Sequence, residues 1–327
     1  GHGVANFGHA HPRIAQAIAD QANTLVTLFE TFPNDKRATL MEKLLSLAPG
    51  FERVFFCNSG TESIEAAFKF ARLSSGKTGI VAAMRGFHGR TLGSLSATWN
   101  KAYREPFEPL IPGFKHVPYN NIEALAAAVD ENTAAVVLEC VQGEGGVFPA
   151  DPQYLQAARA LCTEKAVLLI IDEIQTGFGR TGKLFCSEWD GVRPDIICMG
   201  KAMGGGVYPV SGIVADNEIM SAAFSPGNHG STFGGNPMAC AVASASIDVI
   251  IDEHLPERSH EMGEFFRGEL RKIQNSNIKE VRGRGLLTGL EFHTECAHDY
   301  SVELMKHGIL AKDTHGTTIR FAPPLII

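Results

Sequence analysis

A chain of 327 residues, 44% hydrophobic and 20% charged, is long enough to fold a large domain with a smaller one beside it. Its net charge of -7 argues against a general nucleic-acid binder, and no apolar run has the length of a membrane span or the pattern of a signal peptide. The seven cysteines are irregularly spaced and form no Cys-x-x-Cys, which argues against a disulfide framework and for a reducing, cytoplasmic setting.

In chain order, helical spacing predicts helices over residues 12–27 and 36–47, then an apolar strand at 54–57. A turn-like Asn-Ser-Gly leads into a helix from Thr61, where Ile64, Ala67, Phe68 and Ala71 repeat at helical intervals. Further apolar runs fall at 79–83, 134–138, 167–171, 195–199 and 210–214, with helices predicted over 122–129 and 152–164. Strands apolar on both faces and alternating with helices imply a mainly parallel sheet covered on both sides. Beyond residue 250 the pattern changes to a charged helix (255–273), short strands at 280–284 and 286–292, a helix at 301–307 and a strand at 318–321. The expected division is an N-terminal segment 1–47, a large domain 48–250 and a smaller α+β domain 251–327. The abrupt start at GHGVANFGHAHP and the apolar stop at TIRFAPPLII suggest segments missing at both ends.

Ligands of open α/β sheets sit at the carboxyl ends of strands, so the polar residues after each apolar run are the informative ones. LLIIDEIQTGFGRTGKL, residues 168–184, imitates a nucleotide-hydrolase strand followed by a P-loop. Leu184, however, follows Lys183 where a magnesium-binding hydroxyl is required, and no strand precedes Gly177. NSGTES, residues 58–63, has capping-box spacing at a strand-to-helix turn, a ready anion site and equally an ordinary cap. Lys201 follows the run IICM and precedes three glycines. Desolvation there would lower its pKa and make it a usable amine nucleophile, while taken without neighbours it reads as a surface lysine in a Gly-rich loop. Asp172, straight after VLLII, needs a partner: a metal, an arginine or a protonated pyridine nitrogen. Gly60-Thr61, Asp172 and Lys201 together supply the anion site, acid and amine that pyridoxal phosphate requires. His293, Cys296 and His298 have no second ligand pair in the sequence and read as a polar surface loop, with no metal site expected.

The segments FCNSGTESIEAAFKFAR, GFHGRTLGSLSAT, QGEGGVFPA, LLIIDEIQTGFGRTGKLF, GKAMGGGVYPVSG, HGSTFGGNPMA and TIRFAPPL resemble the class-III pyridoxal-phosphate-dependent aminotransferases, along essentially the whole chain. TWNKAYREPFEPL and HGSTFGGNP look most like the acetylornithine and carrier-protein-linked lysine branch. The resemblance implies fold type I. It also implies pyridoxal 5'-phosphate held by Lys201, with Asp172 on the ring nitrogen, Gln175 on the ring oxygen and Phe87 stacked on the ring. Gly60 and Thr61 would bind the phosphate, Thr232 would reach the phosphate of a neighbouring subunit, and Glu173 and Ile174 would complete the cofactor-binding set. Arg90 and Arg320 are the arginines a dicarboxylate would need, with Glu144 pairing with Arg320 and releasing it for glutamate, and Ser231 contacting the substrate. The implied reaction is ping-pong transfer, in a homodimer with shared active sites, between N-acetylornithine or a carrier-linked lysine or ornithine and 2-oxoglutarate. Ornithine or 4-aminobutyrate is the alternative donor, an acidic amino-group carrier protein a candidate partner, and a catalytically silent homologue the alternative of another class. No nucleic acid or membrane partner is expected.

Overall fold

The computed structural model describes residues 2–223 and 227–327. Up to Leu138 it comprises α1 (Pro12–Ala22), α2 (Asp35–Leu47), β1 (Arg53–Cys57), α3 (Gly60–Ser75), β2 (Gly79–Ala83), α4 (Leu92–Ala97), α5 (Lys101–Arg104), β3 (Phe114–Val117), α6 (Ile122–Ala128) and β4 (Thr133–Leu138). A two-residue hairpin, β5 (Val141–Gln142) with β6 (Phe148–Pro149), precedes α7 (Pro152–Glu164), β7 (Leu168–Asp172), β8 (Ile196–Met199), β9 (Ser211–Ala215), α8 (Asn217–Ala223) and α9 (Pro237–Asp252). The remainder is α10 (Leu255–Arg271), β10 (Ile278–Arg284), β11 (Leu287–Phe292), α11 (Ala297–Lys306), β12 (Lys312–Thr314) and β13 (Thr318–Phe321).

Seven strands form one sheet in the order β1-β9-β8-β7-β4-β2-β3, and the last four make a separate antiparallel sheet, β10-β11-β13-β12. Within the large sheet β9 runs against both neighbours, while β8, β7, β4, β2 and β3 pair in parallel. The alternation of a strand decides which helix covers which face. Phe55, Ala82, Val137, Ile170, Cys198 and Ile213 pack with α3 through Ile64, Ala67, Phe68 and Ala71. Their chain neighbours Val81, Val136, Leu138, Leu169 and Ile171 face α6 and α7 on the other side. At the β1-β9-β8 end that other face is covered by α2 and α9. Each fully buried Leu, Ile or Phe contributes about 1.5–3 kcal/mol, so the two-sided burial fixes register as well as stability.

The helix predicted over residues 12–27 ends at Ala22. The β-branched Thr24, Val26 and Thr27 favour extended backbone, and the Val26 carbonyl accepts from Met238 N at the start of α9. The parallel strands all deliver their carboxyl ends to one edge. Register places Leu138 beside Ile171 and Asp172 beside Cys198, so Glu139, Asp172 and the Gly200-Lys201 turn are neighbours there.

Candidate active site

The anion end is built by α3. Ser59 and Glu62 form a complete capping box, with Ser59 Oγ accepting from Glu62 N and the Glu62 carboxylate accepting from Ser59 N at 2.9 Å. The box uses the third amide of the helix and leaves those of Gly60 and Thr61 in the first turn, where the helix dipole is positive. Thr61 Oγ1 lies 2.6 Å from Ser94 Oγ and 2.8 Å from Thr91 Oγ1. This close approach requires Gly89, at φ +140°, because a Cβ there would lie 2.5 Å from both Thr61 Oγ1 and Ser94 Oγ.

The acid end is Asp172, buried at the tip of β7. Its Oδ1 accepts from Ile174 N at 3.0 Å and its Oδ2 lies 2.8 Å from His88 Nδ1. A carboxylate can only accept, so Nδ1 carries the proton of that bond. Burial alone would lower the His88 pKa, but the bond to Asp172 and the charges of Asp172 and Glu139 raise it above the ordinary value. Glu139, at the end of β4, accepts from Phe87 N at 3.0 Å and Gly143 N at 3.3 Å. Burial, aided by the Asp172 charge, pushes its carboxyl up to about 7. Neither His88 nor Glu139 was assigned a role from sequence. Their signal was position alone: each closely follows a buried strand.

Lys201 adopts φ +45°, a left-handed conformation uncommon outside glycine and a mark of a functionally constrained turn. Protein encloses it, yet it is only half-buried because it lines two cavities. Desolvation, with Arg320 adding to it, lowers its pKa against the opposing charges of Asp172 and Glu139. The inner cavity, about 200 Å³, is walled by Gly60, Thr61, Phe87, His88, Asp172 and Ile174. The outer one, about 650 Å³, is walled by Arg90, Tyr103, Asp313, His315 and Arg320, and Phe87, Glu144, Gln175 and Lys201 border both. A helix start for an anion, a held carboxylate for a basic ring nitrogen, an amine and an aromatic face around one small cavity fit pyridoxal 5'-phosphate.

Several expected roles meet a different geometry. Glu173 does not face either cavity. As the residue after Asp172 it points to the opposite side and accepts from Thr176 Oγ1 and Ser187 N, which ties down the following loop. Ser231 Oγ is occupied by Asn58 Nδ2 and Gly234 N, both at 3.0 Å, and exposed Thr232 also lies outside both cavities. Gln175 borders both cavities but donates from Nε2 to the His2 carbonyl at 3.1 Å. Glu144 accepts from Tyr103 Oη at 2.9 Å, whereas Arg320 donates from Nη1 to the Gly143 carbonyl at 3.1 Å, so the expected Glu144–Arg320 ion pair is not formed. Gly143 permits this crowding: a Cβ there would lie 1.7 Å from Gln175 Oε1. Arg90 lies over the Tyr103 ring, 3.7 Å from its centroid. Among the described residues there is no group of three or more metal-ligating side chains, and no helix is long and apolar enough to cross a membrane.

The class-III aminotransferase family model matches residues 1–327. The chain is 48% identical to an ornithine aminotransferase of Bacillus subtilis, over 99% of this chain and 82% of that one. It is 47% identical to an ornithine aminotransferase of Staphylococcus epidermidis, over 99% and 83%. Among solved structures, the ornithine aminotransferase of Toxoplasma gondii ME49 superposes with a TM-score of 0.96 at 38% identity, covering 100% of this chain and 80% of that one. An acetylornithine aminotransferase of Elizabethkingia anophelis gives 0.88 at 39% identity, covering 100% and 82%.

Proposed function

The chain belongs to the class-III aminotransferases, enzymes of pyridoxal 5'-phosphate, and we propose that it moves the terminal amino group of free ornithine to 2-oxoglutarate. The carrying observation is the outer cavity, where Glu144 offers a carboxylate beside Arg320 without pairing with it. A free α-ammonium group needs such an acidic partner, which the neutral amide of N-acetylornithine does not. The 46–48% relatives called ornithine aminotransferase support the same choice and move the proposal away from the acetylated or carrier-linked donor expected from sequence. N-acetylornithine remains the second candidate, favoured by the likeness to the Elizabethkingia structure.

When bound, the cofactor supplies an aldehyde that takes up amino groups and a ring that spreads negative charge from the neighbouring carbon. The residues around it do the rest. Asp172, fixed by His88 and Ile174 N, presents a carboxylate for the ring nitrogen. Lys201 anchors the cofactor, and its desolvated amine is basic enough to take a proton from the donor carbon, while its lowered pKa makes the ammonium form acidic enough to return it. Gly60 and Thr61 hold the phosphate, and Phe87 lies along the ring. Arg90 and Arg320 take the two carboxylates of the amino acceptor. The exposed apolar residues Leu25, Val26, Phe29, Phe32 and Phe233 support a homodimer in which Thr232 reaches the partner's phosphate.

The test is kcat/KM for the cofactor-loaded enzyme with ornithine, N-acetylornithine and 4-aminobutyrate, each with 2-oxoglutarate. Ornithine is expected to lead by at least about tenfold, the scale of one charge-assisted contact. A lead for N-acetylornithine would overturn the choice of donor and leave the family untouched.

A further inference from the structure

Arg180 stands at the centre of GFGRTGK, the segment that imitates a P-loop, and no step of the proposed reaction uses it. It is fully buried, and burial pushes its pKa down to about 9 with no carboxylate opposing the shift. An interior cation without a counter-charge is costly to hold, so its partners show what it serves. All of them are neutral. Nη1 donates to the Leu286 carbonyl at 2.9 Å and the Pro323 carbonyl at 2.6 Å, Nη2 donates to Asn6 Oδ1, and Nε has no partner among the described residues. Leu286 and Pro323 stand opposite each other by register. The last pair of β11 with β13 at this end is Thr288 with Phe321, and Leu286 and Pro323 lie two residues beyond on each chain. Proline has no N–H, so it cannot donate to Leu286 as the next rung of the ladder. The Leu286 N–H turns instead to the Arg180 carbonyl, at 3.1 Å, and to Ser259 Oγ, at 3.0 Å. Arg180 therefore takes the place of the missing rung: its carbonyl accepts from one strand end, and its guanidinium donates to both.

We propose that Arg180 is a positioning residue for Arg320: by replacing that rung it fixes the end of β13 against the loop that carries Asp172 and Gln175. This rests on the assignment of Arg320 to a carboxylate of the amino acceptor. Arg320 lies three residues before Pro323, and Arg180 lies five residues after Gln175 and eight after Asp172. The loop between them is tied down, with Ser187 N donating to the Glu173 carboxylate at 2.8 Å and Thr181 Oγ1 to the Thr176 carbonyl at 3.2 Å. One guanidinium thus sets how far the acceptor arginine stands from the acid of the inner cavity. Asn6 steadies the far side of the fork. It is fully buried, its Nδ2 donates to the Phe178 carbonyl at 3.3 Å, and its own carbonyl accepts from Leu325 N at 2.7 Å. A planar fork suits this task because its donors have fixed spacing, whereas a lysine ammonium on a flexible stem holds no such geometry.

The experiment compares the cofactor-loaded enzyme with Arg180→Lys, Arg320→Ala and the double variant, each checked for folding by circular dichroism. Three quantities are read: the Kd of glutarate, an unreactive dicarboxylate, by calorimetry, the KM and kcat with 2-oxoglutarate, and the cofactor absorbance. Arg180→Lys is expected to weaken glutarate and raise the 2-oxoglutarate KM about tenfold, the scale of a charge-assisted hydrogen bond, with kcat changed less than about threefold. The cofactor absorbance should keep its wild-type position. In the Arg320→Ala background the Arg180→Lys effect on the glutarate Kd should shrink below about twofold, because the arginine being positioned is gone. A general loss of packing would instead weaken glutarate by the same factor in both backgrounds. That result, or an unchanged glutarate Kd in Arg180→Lys, would overturn the role of Arg180. Should Arg180→Lys fail to fold, Asn6→Ala takes its place in the same comparison. It removes the Nη2 acceptor, leaves the Nη1 contacts and is expected to weaken glutarate about threefold, the scale of one neutral contact, and no shift at all would again overturn the role. An Arg320→Ala variant that binds glutarate as tightly as wild type would instead overturn the acceptor assignment beneath it.

Discussion

Replacing Glu139 with Gln tests the electrostatics of the inner cavity without touching Asp172 or Lys201. The unfolded chain releases this proton near 4.5 and the folded chain at about 7. Between those values the folded state holds more protons, so stability is full below about 4.5 and falls as pH rises through about 7. The gap corresponds to about 3 kcal/mol at most, the charged form being penalised by burial and by Asp172. Glutamine carries no charge and removes that dependence, although its amide nitrogen faces one of the two backbone donors, Phe87 N or Gly143 N, and that mismatch costs about 1–3 kcal/mol at every pH. The constant cost cancels when two pH values are compared. With an unfolding entropy of about 2.1 cal/mol/K per residue, 3 kcal/mol is about 4 °C for this chain. Melting midpoints of wild type and Glu139→Gln, taken at pH 5 and pH 8, should therefore converge or cross, the variant gaining about 4 °C on the wild type at the higher pH. His88 loses stability in the same direction as pH rises, which steepens the wild-type curve, so the difference between the proteins is the quantity to read. Parallel curves would refute the assignment of a raised carboxyl to Glu139.

Lys201→Ala should lower turnover by at least about a thousandfold, within the range of a lost positioned proton carrier, and borohydride should no longer fix the cofactor to the chain. Gly143→Ala should drive Gln175 out of place, since the new Cβ meets its Oε1 at 1.7 Å. A destabilisation of about 1–3 kcal/mol in denaturant melts is expected, together with weaker cofactor retention on dialysis. Arg320→Lys keeps the charge and removes the planar fork, so the 2-oxoglutarate KM should rise about tenfold while folding, checked by circular dichroism, is unchanged.

The sequence disclosed the strands that are buried on both faces and the three groups at their ends on which the proposed cofactor site is built. Those strands speak clearly because every residue from Ala134 to Leu138, or from Leu169 to Ile171, is apolar. Helix α9 was missed for a related reason: it is apolar nearly all round, with Met238, Val242, Ala243, Ile247, Val249 and Ile250 all buried, and a helix without a polar face has no periodic signature. Strand β3, Phe114-Lys-His-Val, is a short edge strand with two polar residues, and β12 has three residues, Lys-Asp-Thr. Within the site, adjacency in sequence misled at Glu173, because a one-residue step at a strand end reverses the side chain. Tyr103 and His315 were invisible for a different reason. They lie on α5 and on the β12–β13 turn, 212 residues apart in the chain, and only tertiary packing brings both to Glu144.

The two cavities draw on different parts of the molecule. Every residue lining the inner one lies between Gly60 and Lys201, whereas Lys312, Asp313, Thr314, His315 and Arg320 of the outer one all belong to the β12–β13 hairpin. The hairpin thus supplies part of the outer wall, alongside Arg90, Tyr103 and Glu144 from earlier in the chain. A graft of residues 312–320 would therefore rebuild that part of the outer wall and leave every residue that lines the inner cavity as it is.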